Sequence, residues 1–162
     1  MSLILDSLLA HHHWIAEAIA DMTLFDKCQE SLFAICGAST VKVIDLKDQD
    51  NPKLIRTIDL SGFGKRVKNL VCKDDLVAIA VQSETEHEPG RVVFFKSDGT
   101  FISDVMVVES PENITFATDG DYMTVAGANE LSLKEQKPIQ KIKIDLSGGV
   151  QWLTQANVIA IV

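Results

Sequence analysis

The sequence is short of positive charge, of long apolar runs and of cysteine. Fifteen lysines and arginines face 23 aspartates and glutamates, a net charge of −8 over 162 residues. A chain this acidic lacks the basic footprint with which proteins hold a phosphate backbone, so no nucleic-acid role is expected. No apolar run reaches the roughly 18 residues of a membrane span, so no span is expected. The N-terminal stretch is apolar in patches, but its first basic residue is Lys27. A secretory signal needs a positive segment ahead of its apolar core, so none is visible here. The three cysteines, Cys28, Cys36 and Cys72, form no C-x-x-C pair. An odd count at irregular spacing predicts neither a disulfide framework nor a closed zinc site. Cys36 and Cys72 each end an apolar run, where cysteine serves as a small buried hydrophobe. All three thiols are expected to be free.

What is present is a globular composition, 46% hydrophobic and 23% charged, of a length that buries one real core. The organising feature is internal repetition. Leu32-Phe33-Ala34-Ile35, Leu76-Val77-Ala78-Ile79, Tyr122-Met123-Thr124-Val125 and Val158-Ile159-Ala160-Ile161 share one texture, and their starts lie 44, 46 and 36 residues apart. Each has a small residue third and a β-branched residue fourth, and each follows a polar turn. Before the turns come Leu24-Phe25, Leu70-Val71-Cys72, Ile114-Thr115-Phe116 and Val150-Gln151-Trp152-Leu153. This is a hairpin repeated four times. A third strand is expected at Val41–Ile44, at Arg91–Phe95 and, more weakly, at Leu131-Ser132-Leu133. A fourth, more polar strand is expected at Leu54–Leu60, Thr100–Val107 and Ile139–Leu146, the last with the strict alternation of a half-buried strand. Ile58-Asp59-Leu60-Ser61-Gly62 matches Ile144-Asp145-Leu146-Ser147-Gly148 at 86 residues, about twice the period, with Pro52 and Pro138 at the same offset.

Units of four strands, repeated every 40–50 residues or so, predict an all-β, β-propeller-like fold of the WD40-like kind. One four-stranded antiparallel sheet cannot cover both its apolar faces, so neighbouring units must stack. An irregular β-sandwich is the alternative. The domain reading is a leader or short helix over 1–17, with Leu5, Leu8 and Leu9 at helical spacing, and a partial propeller over 18–162, with strand from about Ala18. The chain holds about three and a half four-stranded antiparallel blades and stops at Val162 inside an apolar strand. The expectation is therefore a fragment lacking C-terminal blades, or copies that assemble to finish a partial ring. The last hairpin and an uncovered first-blade face around Leu24, Phe33 and Ile35 would drive such self-association.

From about Ala18 to Glu130 the chain resembles the choice-of-anchor I domain. The resemblance rests on ordered strings: Ser31-Leu32-Phe33, Ser39-Thr40-Val41-Lys42-Val43-Ile44-Asp45 leading to Asp50-Asn51-Pro52, and Leu76-Val77-Ala78-Ile79-Ala80. Pro89-Gly90-Arg91-Val92-Val93-Phe94-Phe95, Asp98-Gly99, Ile114-Thr115-Phe116-Ala117-Thr118-Asp119-Gly120 and Ala128-Asn129-Glu130 follow. The resemblance implies a propeller-like module of bacterial surface or secreted proteins and animal mesenchyme-specific cell-surface glycoproteins, in an extracytoplasmic setting. Family members are longer than this chain. Some are labelled phosphatase-like, but the sequence carries no metal or nucleophile motif that supports that label.

Candidate chemistry is sparse. His11, His12 and His13 lack an acidic or cysteine partner at ligand spacing and read as an appended tract or a polar surface patch. Beyond them the remaining histidine is His87, so a Cys–His pair is not expected. Glu84, Glu86 and Glu88 around His87 fall on one side of an extended segment, where they repel and read as a solvated acidic loop rather than a cation site. Asp45–Asp50 lacks the glycine and distal glutamate of an EF-hand and reads as a turn. Gly62-Phe63-Gly64-Lys65-Arg66 lacks phosphate-loop spacing and reads as a connection between units. Trp14 and Trp152 are expected in the core. Neither G-x-S-x-G nor H-E-x-x-H occurs. No catalytic, cofactor or metal residue is assigned. The leading reading is a non-catalytic propeller module for protein or glycan interaction; its rival is part of a lactonase-like hydrolytic propeller with a site at the axial opening.

Overall fold

The computed structural model describes residues 3–84, 90–106, 111–116, 122–127, 139–145 and 149–156, with side chains over 5–84 and 90–104. Among these residues, two short helices, α1 (Leu3–His11) and α2 (His13–Ala18), precede twelve strands. The first sheet contains β1 (Met22–Cys28), β2 (Ser31–Cys36), β3 (Thr40–Asp45) and β4 (Lys53–Asp59). The second contains β5 (Arg66–Lys73), β6 (Leu76–Gln82), β7 (Arg91–Lys96) and β8 (Phe101–Met106). The third contains β9 (Pro111–Phe116), β10 (Tyr122–Gly127), β11 (Ile139–Asp145) and β12 (Gly149–Ala156). Each sheet is an antiparallel meander in chain order. Among the described residues the fold is therefore all-β apart from the two N-terminal helices.

The hairpins form where polar pairs interrupt the apolar runs. Cys28 pairs with Ser31 and Lys73 with Leu76, leaving two-residue turns. Gln29 (φ 56°) and Asp74 (φ 51°) occupy the first turn position. Positive φ there gives the chain the twist that the flanking strands need. At the β7–β8 turn, Gly99 takes φ +88° and Asp98 Oδ1 accepts the Thr100 N–H at 2.8 Å. That hydrogen bonding, from the Thr100 side chain and backbone, holds the Asp98 carboxyl below its ordinary range.

Both faces of the central strands are apolar because both are covered. In β2, all six residues are buried. Phe33 and Ile35 join Val41 and Val43 in a core shared with Val67, Leu70, Val77, Ile79, Val81, Val93 and Phe95 of the second sheet. Leu32, Ala34 and Cys36, on the opposite face, pack with Ile44 and Leu46 against Leu5, Leu8, Ile15 and Ile19 of the helical segment. The second sheet repeats the pattern: Leu76, Ala78, Ala80, Val92 and Phe94 are buried on the face away from the shared core, and β9 lies against β5 and β6. The first strands β1, β5 and β9 are neighbours in that order. The fourth strand β4 is exposed except at Ile58. Lys53 and Arg56 lie along it, charges that discourage another chain from pairing with a sheet edge.

Several expectations need correction. The expected half unit beginning at Val150 is not separate: β12 pairs with β11 as the last strand of the third sheet. Ile139–Asp145 is the third strand of its sheet, paired directly with β10, rather than the fourth. Its alternating pattern gives a half-wet strand but carries no information about strand order. The 86-residue match thus joins a fourth strand, β4, to a third strand, β11. Leu131–Leu133 and Val158–Ile161 lie outside the described residues. Strand begins at Met22, since Ala18 still belongs to α2. Of the residues expected on an uncovered first-sheet face, Phe33 and Ile35 are covered by the second sheet, whereas Leu24 is exposed; the helices cover the opposite face. Trp14 lies on α2 and is exposed rather than buried.

The cysteines also depart from expectation. Cys28 and Cys72 form a disulfide, with Cα atoms 5.6 Å apart, and only Cys36 is free. Their 44-residue separation equals the spacing between Leu32 and Leu76. Cys28 lies next to the β1–β2 turn and Cys72 one residue back from the β5–β6 turn, and because β1 and β5 lie side by side this brings the two sulfurs together. The bond joins two sheets across their common core.

In denatured, unreduced protein one thiol should react, and three after reduction; three without reduction would contradict the staple. Closing a loop of this length is worth about 4 kcal/mol in the chain-entropy model. Chemical denaturation of Cys28→Ala/Cys72→Ala should show a loss approaching that value.

The connection from β4 to β5 generates a second expectation. Lys65 N–H donates to the Gln82 carbonyl at 2.7 Å, and a Cβ on Gly64 would lie 2.3 Å from that same oxygen. A Cβ on Gly62 would have nothing within 4 Å of it. Gly64→Ala should therefore cost about 1–3 kcal/mol through overpacking, whereas Gly62→Ala should stay within about 0.5 kcal/mol of the native chain. Equal denaturation midpoints for the two variants would contradict this packing.

Candidate functional site

A cleft of about 610 Å³ opens between α1 and the first sheet. Its size falls within the range of ordinary small-ligand sites. Helix α1 contributes Ser7, Leu8 and His11, and His12 follows at the break before α2. Lys27 comes from β1, while Leu46, Gln49 and Asp50 come from the segment between β3 and β4. Leu8 and Leu46 are buried members of the helix–sheet core, so the cleft has an apolar floor beneath polar walls.

Local hydrogen bonds position both walls. Ser7 and His11 are four apart on one helix face, and His11 Nδ1 lies 2.8 Å from the Ser7 carbonyl. A carbonyl only accepts, so Nδ1 carries a proton in this contact. His12 N–H closes on Leu8 O at 2.9 Å and the His12 carbonyl receives Ile15 N–H at 3.1 Å, joining the two helices. On the opposite wall, Leu46 N–H donates to Glu30 O at 2.7 Å. Asp48 Oδ1 accepts Asp50 N–H at 3.1 Å and Asp48 O accepts Asn51 N–H at 3.0 Å. Asp45–Asp50 is thus an aspartate-clamped turn.

The cleft offers a cation, an anion, two imidazoles and neutral polar groups around an apolar base. This set can bind and orient a polar group. His11 commits Nδ1 to the Ser7 carbonyl, so that contact does not activate the serine hydroxyl. No group of three or more His, Cys, Asp or Glu side chains is placed to hold a metal ion among the described residues.

Three residues to which the sequence pattern assigns no role, His11, His12 and Lys27, therefore meet at one place, while His13 is exposed on α2 away from the cleft lining. The spacing of Ser7 and His11 is the available signal; Lys27, Gln49 and Asp50 have none, because their approach depends on how the helices dock. Glu84 is exposed, and Thr85–Pro89, with His87, lie outside the described residues. The Trp152 side chain also lies outside them. Gly62–Lys65 lies in the connection between the first two sheets, and Arg66 opens β5.

The match to the choice-of-anchor I family model runs over residues 21–157, through all three sheets. The chain belongs to the choice-of-anchor I family. A functionally unknown protein from Desulfotomaculum acetoxidans, known from its crystal structure, shares the fold with a TM-score of 0.60 and 12% identity. The alignment covers 83% of this chain and 41% of that one, so this choice-of-anchor I chain spans less than half of its neighbour's length. No curated protein matches the sequence significantly. The α1 wall of the cleft precedes the family match, whereas the Lys27 and Leu46–Asp50 wall lies within it. Among the described residues, no helix is long and apolar enough to cross a membrane.

Proposed function

We propose that this choice-of-anchor I chain is a non-catalytic, propeller-like binding module of a longer surface or secreted protein, presenting its loops and cleft to a protein or glycan. The observation that carries the reading is the Cys28–Cys72 disulfide within a choice-of-anchor I domain. Structural disulfides persist on the oxidising side of the membrane, where surface and secreted modules work. Successive four-stranded meanders with adjoining first strands support blades, and the 41% coverage of the longer neighbour supports a part of a larger ring. The mixed polar lining of the cleft supports recognition without turnover.

The test uses the oxidised chain on panels of immobilised glycans and extracellular-matrix peptides, compared with Lys27→Glu and Asp50→Lys. Saturable binding to one class, weakened at least tenfold by either charge reversal, is the expected result. Turnover of lactones or phosphate esters by the native chain, lost in those same variants, would overturn the non-catalytic reading in favour of a hydrolytic propeller. Binding unaffected by both reversals would remove the cleft from the account.

A further inference from the structure

Lys27 and Asp50 line the same cleft, yet among the described residues they form no ion pair with each other. The side chains of Ser7, His12 and Gln49, which share the lining, also have no hydrogen-bond partner among the described residues. His11 engages the Ser7 carbonyl through Nδ1, which leaves Nε2 as its remaining polar atom. A cleft of about 610 Å³ therefore holds polar side chains that a bound molecule can engage without first breaking protein contacts.

The titratable groups of the lining are His11 and His12 from the helical side, Lys27 from β1 and Asp50 from the segment between β3 and β4. Glu30, Lys47 and Asp48 sit on the adjoining turns but not on the lining. With both imidazoles neutral, Lys27 and Asp50 balance; with both protonated, the lining carries a net positive charge. Histidine is the side chain that changes charge between about pH 5 and 8. In a chain of net charge −8, the cleft is thus a local gathering of nitrogen donors. A carboxylate suits such a set, since Lys27 supplies a compact cation and each imidazolium an N–H. The other groups select what bears the carboxylate. The Ser7 hydroxyl, Gln49 amide and Asp50 carboxylate offer both donors and acceptors, which sugar hydroxyls require because each both donates and accepts. Leu8 and Leu46 give an apolar floor for the C–H face of a sugar ring.

We infer that the cleft takes a carboxylated sugar, with Lys27, His11 and His12 serving its carboxylate and Ser7, Gln49 and Asp50 its hydroxyls, and that binding strengthens on acidification. The inference rests on the reading of the cleft as a recognition site and names the ligand class of that site. Asp50 gives the ligand a direction, because like-charge repulsion keeps the sugar carboxylate on the Lys27 side. The sign of the pH response follows from the lining. A sugar carboxylate stays ionised at pH 5.5 while the imidazoles gain charge, so an anionic ligand gains affinity as pH falls. A cationic ligand would lose it.

The experiment titrates glucuronate, glucose and glucosamine into the full, oxidised chain at pH 7.5 and 5.5, followed by NMR, with acetyl-Glu-Glu-amide as an acidic peptide of matched charge type. Glucuronate should bind at least tenfold tighter than glucose or glucosamine at pH 5.5, and at least fivefold tighter there than at pH 7.5. Lys27→Gln should weaken glucuronate at least tenfold, and His11→Gln/His12→Gln should remove the pH response. These side chains are exposed or half-buried and belong to neither apolar core, so the variants keep the fold. Preference for glucosamine, equal binding of the acidic peptide, or a pH response that is absent or reversed in the native chain would overturn the inference. Binding of a neutral glycan that Lys27→Glu still weakens would also overturn it, while leaving the cleft a recognition site. Glucuronate binding untouched by Lys27→Gln would place the ligand outside the cleft and count against both.

Discussion

An antiparallel sheet whose two faces are both apolar has no stable existence in water until each face is covered. That constraint governs the first two sheets, whose side chains are described. The fully buried β2 and the nearly fully buried β6 are the sign of it, since a strand with one wet face would alternate. Each buried side chain of this size contributes roughly 1.5–3 kcal/mol, and the strands recover that only when layers meet. The first two sheets satisfy one another through the Phe33–Ile79 core region, the second continues toward β9, and the first is finished by helices.

The disulfide acts on the same constraint from the unfolded side. Cys28 is a buried core member, and Cys72 packs against that core from the neighbouring sheet. A bond between adjoining first strands restricts separation of the layers at the turn ends of β1 and β5. The connection at Gly64, held to Gln82 by a backbone hydrogen bond, limits the same motion at the other end of the strands. Together these contacts make the first two sheets one unit, with functional variation left to the cleft and the exposed turns.

Most of this architecture is legible in the sequence. Periodic apolar runs locate β2, β3, β6 and β7, and polar pairs locate the turns between them. The cysteine pair is legible too, but only once the 44-residue repeat is applied to cysteines: neighbours in space are residues one period apart, whereas spacing along the chain looks irregular. The order of strands in the third sheet is not legible, because Ile142-Lys143-Ile144-Asp145-Leu146 has the alternation of any half-wet strand, and alternation carries no information about strand order. Trp14 defies its hydrophobicity because an aromatic on a six-residue helix has its orientation set by docking of Ile15 and Ile19. The cleft is illegible for a related reason: its walls belong to α1 and to segments well downstream in the chain, and no local pattern records their approach.

The most direct test of the shared-core account is native-state amide exchange on the oxidised chain, read strand by strand. If the first two sheets stabilise each other, the slowest amides of β2 and β3 will exchange with the same free energy as those of β6 and β7, within about 0.5 kcal/mol, in one global opening. A first sheet that opens at several kcal/mol below the second, while β6 and β7 stay protected, would contradict the account and show that each sheet stands alone.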